Sequence, residues 1–352
     1  MGVKIGYYTI GDTWTPTECL RQAIEAERIG FDALWVEDHL IAMPGGQQCN
    51  FAWTVMSSAL QATERAPFIT GVTAPIMRYH PAIVAQAFAT MGAMYPGRVG
   101  IGVGTGEPPN EMALRSGEFP SNATRLEMLE EAITIMNRLW TSTDPISFAG
   151  KYYTLNNAVV LTKPAEKIPV YVSAIGPRSA KLAGRLGDHL MSLATDAHHV
   201  KEVLMPNFEA AAREAGKDPN TMERTVQPNY IYDPEQVIHP EDFALIKDPG
   251  TVPGTENATV PGIENAVDVS LLYTLAHNAE DIITAIEKLK GMGYNHFAVA
   301  NVTFSNAAWR QLIETARQSS ALPTATLDRW SRATWDEAAS LKVWEDVLPH
   351  IR

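Results

Sequence analysis

Short apolar runs alternate along the chain with longer segments in which apolar positions recur every three or four residues. The runs predict β-strands at Val3–Tyr8, Ala33–Val36, Phe68–Val72, Val99–Val103, Val170–Val172, His189–Leu193, Val226–Ile231 and His296–Ala300. Between them the helical period predicts helices at Thr17–Ile29, Pro81–Met94, Arg125–Leu139, Pro177–Leu186 and Ala279–Met292. In the first of these, Leu20, Ile24 and the nearby alanines share one face. Pro81 and Pro177 stand in first turns, where a missing N–H costs nothing. Strands that are nearly all followed by helices imply a parallel sheet. Eight such strands is also the number that closes a (β/α)8 TIM barrel, and we expect the barrel rather than an open sheet.

Two stretches break the alternation. Residues Asp233–Asp268 carry five prolines and three glycines with little apolar period. That is too long for an ordinary connection, so it is expected to be an irregular, lid-like or ordered excursion. Thr303–Leu341 is inserted before the closing helix and predicts two helices, around Trp309–Gln318 and Leu327–Leu341. Half of the eight tryptophans (Trp309, Trp330, Trp335, Trp344) fall in this last part of the chain. Packing against the barrel or a second subunit accounts for them more simply than a substrate wall. A chain of 352 residues would suggest two domains at roughly 150 residues each. An α/β barrel of this size is one unit, so residues 1–352 are expected to form a single domain.

Composition narrows the class. Hydrophobic residues make up 45% and charged residues 19%, an ordinary globular balance that excludes disordered, collagen-like and coiled-coil chains. No apolar run approaches the roughly 18 residues of a membrane span. The start of the chain runs straight into a strand pattern without a basic leader, which reads as cytoplasmic. Tyr7 stands where a myristoylation signal requires Ser or Thr. Twenty-eight basic against forty acidic residues give a net charge of -12, which repels nucleic acid and anionic membranes. Neither is an expected partner, whereas a small molecule is. Cys19 and Cys49 are too few for a disulfide framework or a cysteine-rich metal site.

In a barrel the active face lies at the C-terminal ends of the strands. Unusual polar residues collect there: Asp12, the run Glu37-Asp38-His39, Thr73 with Ala74, the turn Gly104 to Asn110, the turn Ser173 to Gly176, and Ser192. His39 follows two carboxylates at a strand end, a setting that fixes its tautomer and raises its basicity. Gly102, Gly104 and Gly106 have the wrong spacing for a dinucleotide fingerprint, and Pro108-Pro109 follow where its helix should begin. These glycines would let a flat ligand lie on the backbone, with Glu107 beside it. A tight turn explains the glycines equally but not the carboxylate. Ile175-Gly176-Pro177-Arg178-Ser179 opens a helix whose N–H groups and dipole suit a phosphate, although a plain helix start would read the same. Metal ligation is not expected, since no HExxH or cysteine-rich spacing occurs and His198-His199 reads as a solvated helix start. A G-x-S-x-G serine elbow is absent.

Several of these residues fall within longer motifs. Trp35-Val-Glu-Asp-His39, the run from Pro75 to Asn110 and Lys181-Leu-Ala-Gly-Arg-Leu-Gly-Asp188 resemble the luciferase-like barrel oxidoreductases of the branch that uses the deazaflavin coenzyme F420. The likeness runs from the first strand to about Arg224 and resumes over Ala279–Asn301. It extends to both the secondary alcohol dehydrogenases and the glucose-6-phosphate dehydrogenases of that branch, and it implies a homodimer. The resemblance implies a non-prolyl cis peptide at Gly71-Val72 backing the deazaflavin ring. It places Asp38, Gly71, Val72, Thr73, Ala74, Glu107 and Asn110 around the ring and ribityl chain, and Ala174, Ile175, Gly176, Arg178 and Ser179 at the phosphodiester tail. It assigns His39 as the base that takes a hydroxyl proton while hydride leaves for the deazaflavin. Glu107 becomes an acid at the ring edge and Asp38 a further member of the catalytic group. Asp12, Met43 and Ser192 would face the substrate.

This chain also departs from the pattern. Asp12 replaces a family Glu at the site mouth. Met43 replaces a Trp that helps hold the substrate oxygen in both dehydrogenase groups. Leu193-Ala194-Thr195-Asp196 stands where the sugar-phosphate enzymes carry a phosphate-gripping Lys, and an Asp there repels phosphate. The leading expectation is therefore hydride exchange between F420 and a small alcohol or ketone. A reductase of nitroaromatic or enone acceptors that draws on reduced F420 is the first alternative, slightly favoured by Met43. An FMN-dependent monooxygenase is the second. A cofactor carrier without catalysis is disfavoured by the retention of both His39 and Glu107.

Overall fold

The computed structural model describes residues 2–42, 46, 48–193, 196–238, 273–301, 314, 317, 324–331 and 336–351. Strands β1 (Lys4–Thr9), β2 (Ala33–Val36), β3 (Phe68–Thr73) and β4 (Val99–Val103) lie side by side in chain order. A two-stranded antiparallel hairpin, β5 (Ile146–Ala149) with β6 (Thr154–Ala158), then interrupts the pattern. The ring continues through β7 (Val170–Ser173), β8 (His189–Leu193) and β9 (Arg224–Gln227) to β12 (His296–Asn301). It closes where β12 pairs in parallel with β1, from Lys4 opposite His296 to Tyr8 opposite Ala300. The expected eight-stranded parallel barrel is the fold.

The expected strand Val226–Ile231 is two strands in the structure, β9 and β10 (Asn229–Tyr232), separated by Pro228. Proline has no N–H to give a ladder, so the pairing changes there: β9 joins β8 and β12, and β10 joins β12 and β11 (Tyr273–Ala276). The four-residue β11 has too little pattern of its own to be read from sequence. Helices 16–29, 81–94 and 177–186 fall where the period places them, and Thr15 caps the first through its side-chain oxygen. Gly30 ends that helix at φ +113°, a left-handed position that glycine tolerates. The helix expected at Arg125–Leu139 extends over Asn122–Thr141, with Ser121 as its cap, and that expected at Ala279–Met292 ends at Lys290. Helices Ala52–Ala62 and Met205–Glu214 were not anticipated. A short helix does begin at Pro108, because proline suits a first turn. The prolines therefore do not exclude a Rossmann fingerprint, whereas the closed barrel, which lacks the open doubly wound sheet that fingerprint serves, does.

Alternation along the strands divides the apolar residues between two layers. Ile5, Tyr7, Leu34, Val36 and Phe68 belong to the large core shared with the helices, while Tyr8, Trp35, Ile69, Tyr171, Met191, Ala298 and Ala300 form a separate inner cluster. Trp35 is fully buried there, edge-on to Tyr171 with ring centroids 5.1 Å apart. At the N-terminal ends of the strands a polar cluster closes the barrel. Glu223 accepts from Tyr171 Oη at 2.8 Å and from His296 Nδ1 at 2.7 Å, and it also pairs with Lys4.

Part of the inserted region lies outside the described residues. Glu314 and Arg317 are helical within the expected helix Trp309–Gln318. The stretch expected as one helix over Leu327–Leu341 is two, Thr324–Trp330 and Glu337–Lys342, the second capped by Asp336. Trp330 is 1% exposed, and the fully buried Trp344 packs on Phe31 and Tyr230, so both serve packing. Trp309 and Trp335 lie outside the described residues, as does the excursion beyond Ile238.

Candidate active site

The C-terminal ends of β1, β2, β3 and β4 bring the expected polar residues together. His39 Nδ1 lies 2.9 Å from Asp12 Oδ2 and 4.0 Å from Glu37 Oε2, and among the described residues Nε2 carries no hydrogen bond. Glu37 Oε1 accepts the backbone N–H of Asp12 at 2.7 Å, which ties the loop after β1 to the end of β2. Burial alone would push the His39 imidazolium down. The hydrogen bond to Asp12 and the charges of Glu37, Asp12 and Glu107 reverse this and raise it to about 9. Glu37 is pushed up to about 7 by burial, opposed by His39 and helped by Asp12. Donor atoms of Asp12, Glu37 and His39 lie within 4.8 Å of one another, a closeness that their mutual hydrogen bonds explain.

Asp38 plays a different part from the one its sequence position suggests. Its Oδ2 accepts from Thr73 Oγ1 at 2.7 Å, and its Oδ1 accepts from Arg78 Nη2 and Tyr79 Oη at 3.1 Å each. Both oxygens are committed and the side chain is buried. Through these bonds Asp38 braces β3 against the end of β2. Thr73, fully buried, also accepts from Trp53 Nε1 at 3.3 Å. Asn110 accepts the N–H groups of Leu40 at 2.7 Å and Ile41 at 2.9 Å, fastening the loop that follows His39. Glu107 is half-buried, with no side-chain hydrogen bond among the described residues.

The peptide bond Gly71-Val72 is cis, as the resemblance implies, and Tyr8 Oη donates to Gly71 O. Ala74 follows, nearly buried. The glycines of β4 serve this bulge. A Cβ on Gly102 would lie 2.0 Å from Thr70 O, and one on Gly104 would lie 2.6 Å from Val72 Cγ2. They admit the bulged strand β3 rather than a ligand directly, which corrects the expectation drawn from their spacing.

The turn after β7 opens the helix Pro177–Leu186. Its first turn holds no acidic residue, Arg178 is exposed, and a Cβ on Gly176 would meet nothing within 4 Å. Such a helix start suits an anion, with the first-turn N–H groups free of helical partners. Ala174 does not contribute its N–H, which donates to Met191 O at 2.8 Å. Ser179 Oγ accepts from Ile175 and Gly176 at 3.3 and 3.2 Å, so it shapes the turn. His199, expected to be solvated, instead places a ring nitrogen 2.6 Å from Ile175 O. Ser192, expected to face substrate, is 1% exposed and donates to Leu193 O. Met43 lies outside the described residues. Asp196 caps the helical turn at His199 through a 3.0 Å bond.

Sequence reasoning passed over Tyr8, Trp53, Arg78, Tyr79 and His199. Arg78 and Tyr79 lie within the quoted run from Pro75, whereas Trp53 carries no local signal because only the fold brings it to Thr73.

A closed parallel barrel with a bulged third strand and a carboxylate-flanked histidine after the second defines a class. The profile described as luciferase-like monooxygenase matches residues 4–238, and the chain belongs to that family. Among proteins of known name, it is 33% identical over 309 residues to an F420-dependent glucose-6-phosphate dehydrogenase of Kribbella flavida, covering 85% of this chain and 92% of that one. A protein of the same name from Segniliparus rotundus is 37% identical over 235 residues, covering 66% and 70%. Among solved structures, an F420-dependent secondary alcohol dehydrogenase in complex with an F420-acetone adduct is 36% identical, with a TM-score of 0.80 and 100% of both chains covered. An F420-dependent tetrahydromethanopterin reductase from Methanopyrus kandleri, at 19% identity and TM-score 0.70, shares the fold.

Proposed function

We propose that this chain is an F420-dependent oxidoreductase that exchanges hydride between the deazaflavin and a small neutral alcohol or its ketone. The observation that carries the reading is His39, anchored at Nδ1 by Asp12 and, among the described residues, unpartnered at Nε2. Further support comes from relatives whose names specify F420, over most of the chain. The bulge Gly71 to Ala74 and Glu107 would hold the ring. The helix start at Gly176 to Ser179 would hold the phosphodiester tail, where its open space and lack of acid fit the group. When bound, the deazaflavin supplies the hydride acceptor at C5. Neutral His39 then takes the hydroxyl proton on Nε2 while its Nδ1–H donates to Asp12. A phosphorylated sugar fits poorly, because Asp196 falls in the stretch where the sugar-phosphate enzymes of the resembling branch carry a phosphate-gripping Lys, and its charge repels phosphate.

In the oxidative direction His39 must be neutral, so kcat/KM should rise with pH until about 9. Ketone reduction needs the imidazolium and should fall above that pH. The imidazolium is the resting form at neutral pH, which favours a second reading of the same site: reduction of a ketone, enone or nitroaromatic by the reduced cofactor. Titration of F420 against FMN, read by quenching of the tryptophans, tests the cofactor; preference for FMN would overturn the proposal. A screen of alcohols and nitroaromatics across pH then separates the two directions.

Arg178→Glu is expected to weaken F420 binding at low salt by about tenfold, with the difference shrinking as salt rises. Equal affinities for both proteins at all salt concentrations would remove Arg178 from the tail site.

A further inference from the structure

We propose that Glu37 is a positioning residue of the reaction: its carboxylate fixes Asp12 against His39, and its charge favours the protonated imidazole. This rests on His39 being the proton-transfer group proposed above. Glu37 is otherwise an odd residue to find here, a carboxyl 11% exposed at the end of an inner strand. Its two oxygens do separate things. Oε1 receives the backbone N–H of Asp12, so the loop after β1 is held where Asp12 Oδ2 meets His39 Nδ1. Oε2 stands 4.0 Å from that same Nδ1, too far for a hydrogen bond but close enough for direct charge stabilisation. His39 is thus flanked on its Nδ1 side by two carboxylates, while Nε2 has no partner among the described residues.

The groups facing this pair leave Glu37 as its adjustable charge. Tyr8, Cys19 and Cys49 are each pushed up, first by burial and then by nearby carboxylates, and stay neutral through the working range. Asp38 is neutralised by Arg78. Glu107 adds a second, weaker influence on His39. Asp12 contributes both the hydrogen bond and a charge, and it is Glu37 that holds Asp12 in place. Burial raises Glu37 to about 7, so the charge it lends to His39 grows as pH rises through that value.

Two substitutions divide the roles. Glu37→Gln keeps an oxygen to accept the Asp12 N–H but removes the charge. The rising limb of its alcohol oxidation profile should move to lower pH by about one unit or more, with F420 affinity within about twofold of wild type. Glu37→Asp keeps the charge but is one methylene short of Asp12. It should leave the limb in place and lower kcat. The direct readout is the titration of the His39 imidazole by long-range 1H–15N NMR in the protein without substrate, assigned by loss of its signals in His39→Gln. The expected result is a parallel downward shift of the His39 midpoint in Glu37→Gln. A His39 midpoint unchanged to within about 0.3 units in Glu37→Gln would overturn the proposal whatever the activity. If instead the midpoint moves but His39→Gln oxidises substrate normally, the role of His39 in the reaction fails while its electrostatic dependence on Glu37 stands.

Discussion

Replacing His39 with Gln lowers kcat for alcohol oxidation by about 10^2 to 10^4, or about 3–5 kcal/mol of barrier, and leaves F420 affinity within about 1 kcal/mol. The split follows from which nitrogen does what. Nδ1 is committed to Asp12 at 2.9 Å, and Nε2 has no partner among the described residues, so the loss falls on proton transfer rather than on cofactor contacts. The bulge at Gly71-Val72 and the helix start at Pro177 are built from other segments and need not move. Gln is the informative substitution because its amide still donates to Asp12, whereas Ala would leave Asp12 and Glu37 facing each other across a cavity. The exchange also changes stability with pH. The folded value of His39 is raised, so its contribution is complete below the ordinary histidine value of about 6.5 and is lost as pH rises towards about 9. His39→Gln should abolish that slope in urea unfolding measured across pH 6 to 9. Parallel losses of turnover and of F420 affinity would refute the assignment of His39 as the proton carrier.

The barrel was legible in sequence because its signal is periodic and local. Val99–Val103 and Ala33–Val36 are short apolar strands that need no tertiary information to be recognised. Proline at 228 broke the seventh strand in a way that a run of Val and Ile concealed, and β11 was too short to carry a period. The site was legible as a set of positions rather than as a set of roles. Asp38 and His39 are neighbours in sequence and look alike as candidates. Yet one points into Arg78, Tyr79 and Thr73 while the other meets Asp12, since successive side chains at a strand end face opposite ways. Likewise Gly102 and Gly104 announced a close approach, and only the fold shows that what approaches is β3. Glu37 stood in plain view in the run before His39, but its bond to the Asp12 backbone depends on two strands meeting.

The larger effect on stability is expected at the opposite end of the barrel. Glu223→Ala should destabilise the protein by about 3–5 kcal/mol at pH 7.5, the usual cost of removing one partner from a buried ionic cluster. Glu223 is buried, and desolvation on its own would raise its carboxyl. The hydrogen bonds from His296 and Lys4 outweigh burial and hold it well below the usual carboxylate range. The cluster is fully assigned: His296 donates from Nδ1 to Glu223 and accepts at Nε2 from Trp35 Nε1 at 3.4 Å, while the Glu223 N–H donates to His189 Nδ1 at 3.0 Å. Without the carboxylate, Tyr171 and His296 lose their acceptor and Lys4 its counter-charge beneath the inner apolar layer. The pH dependence has a definite sign. A depressed folded value means the unfolded chain binds the proton more tightly, so the stabilisation is complete above the ordinary glutamate value of about 4.3 and fades as pH falls below it. His189, pushed down by burial, adds a loss in the same direction that begins below about 6.5. Urea unfolding at pH 7.5, 5.5 and 4 should therefore show both proteins losing stability on acidification, with the gap between wild type and Glu223→Ala maintained down to pH 5.5 and only beginning to narrow below about 4.3. A variant with wild-type stability at pH 7.5 would show that the cluster contributes nothing net to holding the barrel closed.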